Sequence, residues 1–119
     1  MSRPFVSLIT LDDLDRALAS SQIQPIVLFK HSLSCGTSAM AYEDMEGLLA
    51  DDGVTASIYV IPVQTARAVS SAIAERFGVR HESPQVLIVH QGTVVWHGSH
   101  FRVTAANVRA RLEAQAAAV

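Results

Sequence analysis

An α/β fold, with a mixed sheet of four or five strands flanked by helices, follows from three features of the chain. Apolar runs of strand length alternate with segments of helical periodicity, in the order helix, strand, helix, strand, helix, strand, strand, helix. Strands joined through a helix are expected to be parallel, because crossovers of that length form right-handed βαβ units. The last two strands flank Gln91-Gly92-Thr93, a hairpin signal, and are therefore expected to be antiparallel.

The elements can be justified in order. Residues 5–8 form a short candidate strand. Thr10, with Asp13 three residues on, has the pattern of a helix-opening cap, and Leu11, Leu14, Ala17 and Leu18 then keep helical spacing to about Ser20. Residues 26–29 are an unbroken apolar run, as expected of a central strand buried on both faces. The polar stretch that follows, residues 30–34, reads as a loop leading to Cys35. Met40, Tyr42, Met45, Leu48 and Leu49 suit a helix over residues 36–49, stopped at Asp51-Asp52-Gly53. Residues 57–61 form the next strand. Thr65 is placed to cap a third helix with Val69, Ile73 and Phe77 on its inner face and Gly78 as its C-terminal αL residue. Residues 86–89 and 94–96 make the hairpin strands. Thr104 opens a last helix carrying Val108, Leu112 and Gln115-Ala116 on one stripe.

At 119 residues and 50% hydrophobic content the chain is long enough for one core without staples, so a single domain over residues 1–119 is expected. Nine Lys+Arg against eleven Asp+Glu, with no basic cluster, leave no track for phosphates, and nucleic acid is not an expected partner. The N-terminus reaches Asp12-Asp13 before any apolar stretch long enough for a signal peptide. Residues 83–101 carry no formal charge, but Pro84, Gln85, three histidines and the Gln91-Gly92 turn fit two short strands rather than a membrane span. A cytoplasmic protein with no membrane partner is the expectation. The lone cysteine agrees, since it forms neither an internal disulfide nor a zinc cluster and suits a reducing compartment.

Cys35 is the candidate nucleophile. At the first turn of a helix a thiol faces unpaired backbone N–H groups and the positive end of the macrodipole, both of which favour the reactive thiolate. Lys30 and His31, in the stretch before it, are candidates for favouring the anion further. Ser38, one helical turn on, has a hydroxyl able to donate a hydrogen bond to the sulfur without forming a disulfide. The bland alternative is a buried, inert thiol. No metal is expected, because the spacing in His97-x-x-His100 puts the two rings on different faces of a strand. The absence of arginine from residues 36–50 excludes a phosphatase loop.

The element order, with a cysteine where the first central strand hands over to a helix and Ser83-Pro84 just before the hairpin, resembles the thioredoxin fold. The segment Phe29-Lys30-His31-Ser32-x-x-Cys35, with Ser38 in the place of a second cysteine, resembles the monothiol bacilliredoxins more narrowly. The blocks His81-Glu82-Ser83-Pro84-Gln85-Val86 and Trp96-His97-Gly98-Ser99-His100-Phe101 extend the likeness over nearly the whole chain. The resemblance implies a monothiol thiol–disulfide oxidoreductase that removes bacillithiol, or a related small thiol, from protein mixed disulfides through Cys35. The small thiol is then a co-substrate rather than a bound cofactor, and S-thiolated client proteins are the partners. The resemblance also implies a cis peptide at Ser83-Pro84 that shapes a substrate groove. One departure stands out: Gly36 occupies the position where family members commonly carry Pro. Two rival readings share the fold, a redox-inactive binding module and a glutathione-linked monothiol enzyme of glutaredoxin type.

Overall fold

In the computed structural model, which describes residues 5–32 and 36–117, the chain runs β1 (Val6–Ser7), α1 (Leu11–Ser20), β2 (Ile26–His31), α2 (Gly36–Leu49), β3 (Ser57–Pro62), α3 (Arg67–Phe77), β4 (Gln85–His90), β5 (Thr93–Ser99) and α4 (Ala105–Ala117), with a 3-10 turn at His100–Arg102. The strands form one sheet in the order β1-β3-β2-β4-β5. β1, β2 and β3 run parallel, as expected of strands joined through helices, and β4 and β5 are antiparallel, as their tight turn requires. β4, although joined to β3 through α3, departs from that expectation: it runs antiparallel to β2, and so to β3, because the chain after α3 enters β4 at the end of the sheet where β3 leaves it, with Gln85 beside Lys30 and Pro62 beside His31.

The core lies on both sides of β2, every residue of which is buried. Val27 and Phe29 face Met45 and Leu48 of α2 and Val108 of α4. Ile26 and Leu28 face the other way, against Leu14 of α1 and Val69 and Ile73 of α3. Alternation along a pleated strand divides the apolar run between two layers of helices.

Local signals set most of the boundaries. The Thr10 hydroxyl accepts from the Asp13 N–H at 3.1 Å, and the Asp13 carboxylate accepts from the Thr10 N–H at 3.0 Å, completing the capping box. Gly78 ends α3 with φ 64°, in the left-handed region. Gln91 and Gly92 both have positive φ, as a two-residue turn of right-handed strand twist demands, and the turn is pinned by Ser21, whose hydroxyl accepts from the Gly92 N–H at 3.1 Å. Thr104 caps α4 by accepting from the Asn107 N–H at 3.1 Å. Thr65, in contrast, does not cap α3. The N-cap is Ala66, without a side-chain bond, because the N–H groups of Thr65 and Ala66 both turn back onto the Pro62 carbonyl and the helix starts one residue later. Among the described residues, no helix is long and apolar enough to cross a membrane.

Gly98, in β5, has no room for a side chain: an added Cβ would lie 2.7 Å and 2.9 Å from ring atoms of Trp96 and 3.2 Å from Cβ of Arg102. Arg111 of α4 lies over the Trp96 ring, its guanidinium carbon 5.8 Å from the ring centroid. Gly98→Ala is therefore expected to displace the chain's one tryptophan and shift its fluorescence maximum. In urea denaturation, Leu28→Ala should cost about 3 kcal/mol as a buried large-to-small change, and Thr10→Ala about 1 kcal/mol as a lost cap.

Candidate active site

The carboxyl end of β2 carries the first two candidate residues, and it carries them inside the strand. Lys30 pairs with Ile61 on one side and Gln85 on the other, and His31 pairs with Pro62. The expected loop placement of Lys30 and His31 is thus corrected: pairing with β3 holds both in the sheet, β4 holds Lys30 from the other side, and alternation sends the two side chains to opposite faces.

Lys30 points toward α3 and is 0% exposed. Its ammonium donates to the Ser70 carbonyl at 3.1 Å and lies 3.1 Å from Nδ1 of His81. The Ser70 hydroxyl lies 3.1 Å from the same nitrogen. Burial pushes Lys30 down to about 8. A charged lysine has no acceptor to offer, so toward it Nδ1 must be the acceptor and the His81 proton sits on Nε2. The His81 residue is exposed, and its pKa is lowered by partial burial and by the Lys30 charge, against an opposing pull from Glu82.

His31 points toward α2 and is 8% exposed. Its ring lies 4.8 Å from that of Tyr42 and 5.7 Å from that of Phe29, centroid to centroid. Burial lowers its pKa, so at neutral pH it is an uncharged member of an aromatic cluster rather than an exposed cation. Ser38, in the first turn of α2, is fully buried and its hydroxyl accepts from the Ser32 N–H at 3.3 Å. That bond ties the helix start to the end of β2. Gln64, in the turn after β3, donates to the Ser32 hydroxyl at 2.7 Å. Cys35 lies outside the described residues and directly precedes Gly36, the first residue of α2. A Cβ built on Gly36 meets nothing within 4 Å, so space does not demand glycine there.

The Ser83–Pro84 peptide is cis, as the resemblance implies. The Pro84 carbonyl accepts from the His100 N–H at 2.9 Å, which fastens the 3-10 turn to this loop, and His100 takes φ 55°. Glu82 approaches His100 at 3.6 Å. The Ser83 hydroxyl is buried and has no partner among the described residues. The residues brought together are therefore Lys30 with His81 and Ser70, and Ser32 with Ser38 and Gln64, while Lys30 and His31 stand apart across the strand. Among the described residues no group of three or more His, Asp or Glu side chains converges as a metal site.

Folding lowers the proton affinity of His31 and His81, so the unfolded chain takes up more protons as pH falls through about 6.5, and stability falls with it. Lys30 acts at higher pH: between about 8 and 10.5 it is neutral only when folded, so stability climbs with pH across that window. Asp13, held low chiefly by the N–H groups of Ile9 and Thr10, adds its own loss only as pH falls below its ordinary 3.8. Melting temperatures are expected to rise from pH 5 to 7 and again from 8 to 10. His31→Phe should flatten the first rise and Lys30→Met should abolish the second.

Comparison with known proteins bears on the fold and the family. A solved thioredoxin-fold protein, provisionally described as an oxidoreductase, superposes with a TM-score of 0.80 at 28% identity, covering 91% of this chain and 92% of its own. Fasciola hepatica thioredoxin superposes at 0.73 with 16% identity, over 92% of this chain and 98% of its own. Malassezia sympodialis thioredoxin does so at 0.75 with 16% identity, over 96% and 93%. The two thioredoxins attest the fold alone. Residues 6–108 match the family model of the monothiol bacilliredoxin BrxC, which together with the first neighbour supports a thiol redox function. Because that match runs from β1 into α4, the chain belongs to the monothiol bacilliredoxin family.

Proposed function

We propose that this protein removes a low-molecular-weight thiol, bacillithiol in the first instance, from S-thiolated client proteins through Cys35. The observation that carries the reading is a single cysteine placed one residue ahead of α2, in a chain that matches the monothiol family from β1 to α4. In the proposed step the Cys35 thiolate attacks the small-thiol sulfur of the mixed disulfide. A bond forms between those two sulfurs, and the client leaves with the electron pair of the broken S–S bond.

With no second cysteine, the adduct on Cys35 must be cleared by a thiol from outside. Ser38 supports this division of labour. Its oxygen already accepts one bond from Ser32, and its proton is left to donate toward a sulfur in the helix's first turn. Lys30 adds a buried positive charge at the end of β2, which favours an anion nearby. His31, uncharged, contributes packing beneath the same strand end. Ser83 and Pro84 form the wall of the groove in this reading, with the unused Ser83 hydroxyl available to a bound peptide or thiol.

The test is intact-mass spectrometry of the protein after incubation with a client peptide carrying bacillithiol, glutathione or cysteine as a mixed disulfide. Transfer of bacillithiol to Cys35 with release of the free client is expected, and its absence in Cys35→Ser. Transfer of glutathione alone would replace the bacillithiol assignment, and no transfer from any donor would favour the binding module. Ser38→Ala should raise the Cys35 pKa and slow attack at pH 7 by about two- to tenfold, the range of one hydrogen bond worth roughly 0.5–1.5 kcal/mol.

A further inference from the structure

We propose that the cavity under the second half of α4 binds a free aliphatic amino acid, its carboxylate on Arg109, its ammonium on Glu113 and its side chain on an apolar floor. The site stands at the far end of the sheet from Ser32 and does not depend on the thiol chemistry proposed above.

The strand order creates the cavity. β2 and β3 begin side by side, with Ile26 opposite Ser57, and β4 finishes at the same end, with Val89 opposite Ile26. A six-residue strand, roughly 17 Å long, separates this end of the sheet from the end that leads to α2. The segments before β2 and β3, the last residue of β4 and the second half of α4 together line a cavity of about 520 Å³. That volume lies within the range of about 300–1,000 Å³ in which proteins hold small molecules.

The apolar lining is aliphatic. It consists of Ile23, Pro25, Val54, Ala56, Leu112 and Ala116, and no aromatic side chain besides the His90 ring joins them. Val54 and Ala56, each 6% exposed, belong to the same core layer as Val108 of α4. Ile23, which lines the same cavity, is 88% exposed. An apolar surface that runs without a break from the core to a solvent-facing isoleucine suits a bound aliphatic group.

The polar groups are unevenly engaged, and that sets the ligand's charges. Both carboxylate oxygens of Asp51 are used: one accepts from the Gly53 N–H at 2.8 Å, the other from Nε of Arg109 at 2.8 Å. Arg109 is only partly used, since among the described residues Nε is its one bonded donor and both terminal nitrogens keep their N–H groups. Gln115 accepts at Oε1 from Nδ1 of His90 at 3.2 Å, which leaves its own amide N–H groups as further donors. Glu113 lies four residues from Arg109 on α4, where opposite charges ordinarily pair, but the guanidinium is drawn to Asp51 instead. Glu113 therefore lines the cavity with a carboxylate that has no partner among the described residues. A simple anion would be opposed by Glu113, and a simple cation by Arg109. A ligand carrying both charges on adjacent atoms meets each with its opposite, the planar carboxylate suiting the outer edge of the guanidinium.

The experiment is nitrogen-15 NMR titration of the full chain with L-leucine, and with three probes that each lack one part of it: 4-methylpentanoate without the amine, 3-methylbutylamine without the carboxylate, and glycine without the aliphatic chain. Leucine should give saturable shifts confined to the lining, at residues 23–25, 53–56 and 109–116 and at the Arg109 Nε–H. Each of the three probes should bind more weakly. Arg109→Gln should weaken leucine binding about tenfold, as loss of hydrogen bonds to a charged group, and Glu113→Gln about two- to fivefold, as loss of an exposed ion pair. Ala116→Leu fills the cavity while leaving the Asp51–Arg109 pair in place, and should abolish the shifts; if Arg109→Gln does not fold, this variant decides. Absence of saturable shifts up to about 10 mM leucine, or shifts centred elsewhere, overturns the site. Equal binding of 4-methylpentanoate or 3-methylbutylamine overturns the two-charge assignment, and equal binding of glycine overturns the apolar floor. Cys35→Ser should bind leucine as the native chain does, so failure of the thiol-transfer reading and failure of this site are read separately.

Discussion

A lysine with no exposure at the end of the central strand constrains the rest of the molecule. An ammonium removed from water needs acceptors, and each acceptor Lys30 has is delivered by a different element: the Ser70 carbonyl by α3, and the His81 ring by the loop before β4. The helix on one face of the sheet and the loop leading to Pro84 are thereby held to the strand that leads to Cys35. The four apolar residues before Lys30 fix the strand in the middle of the sheet. It is this central position, with neighbours on both edges, that buries the lysine in the first place.

The two faces of β2 deliver different chemistry to one end of the sheet. On the α2 side His31 is uncharged, packed between Phe29 and Tyr42, so that face supplies shape and low polarity. On the α3 side the charge of Lys30 is retained and connected to the surface through His81. Ser32 follows both, bonded to Ser38 in the helix start and to Gln64 beyond β3. The segment that carries Cys35 is therefore flanked by bonded anchors at Ser32 and Ser38.

What was legible in the sequence was what short-range physics decides. Thr10 with Asp13, Gly78, Thr104 and Gln91-Gly92 each act within four residues, and each boundary they mark is observed. The apolar run at Ile26 gave the central strand for the same reason. Lys30 and His31 have the local composition of a loop, since polar residues usually lie exposed, whereas the ladder partners that keep them in the strand, Gln85 and Pro62, lie far along the chain. His81, Ser70 and Gln64 carried no local signal at all, since their contacts reach across 51, 40 and 32 residues. A lysine continuing an apolar strand was the one clue available, because burying it calls for partners that only the tertiary fold supplies.

The same logic bears on the absent second cysteine. Ser38 occupies a buried position where its oxygen closes the gap between helix start and strand end by accepting the Ser32 N–H. A thiol is a much weaker acceptor than a hydroxyl, so a cysteine there would loosen that junction even before any disulfide formed. Serine therefore does two things at once: it removes the resolving sulfur and it holds the helix start against β2. A chain built this way has no internal route for discharging Cys35. In the reaction proposed, the electrons that discharge Cys35 come from a second thiol.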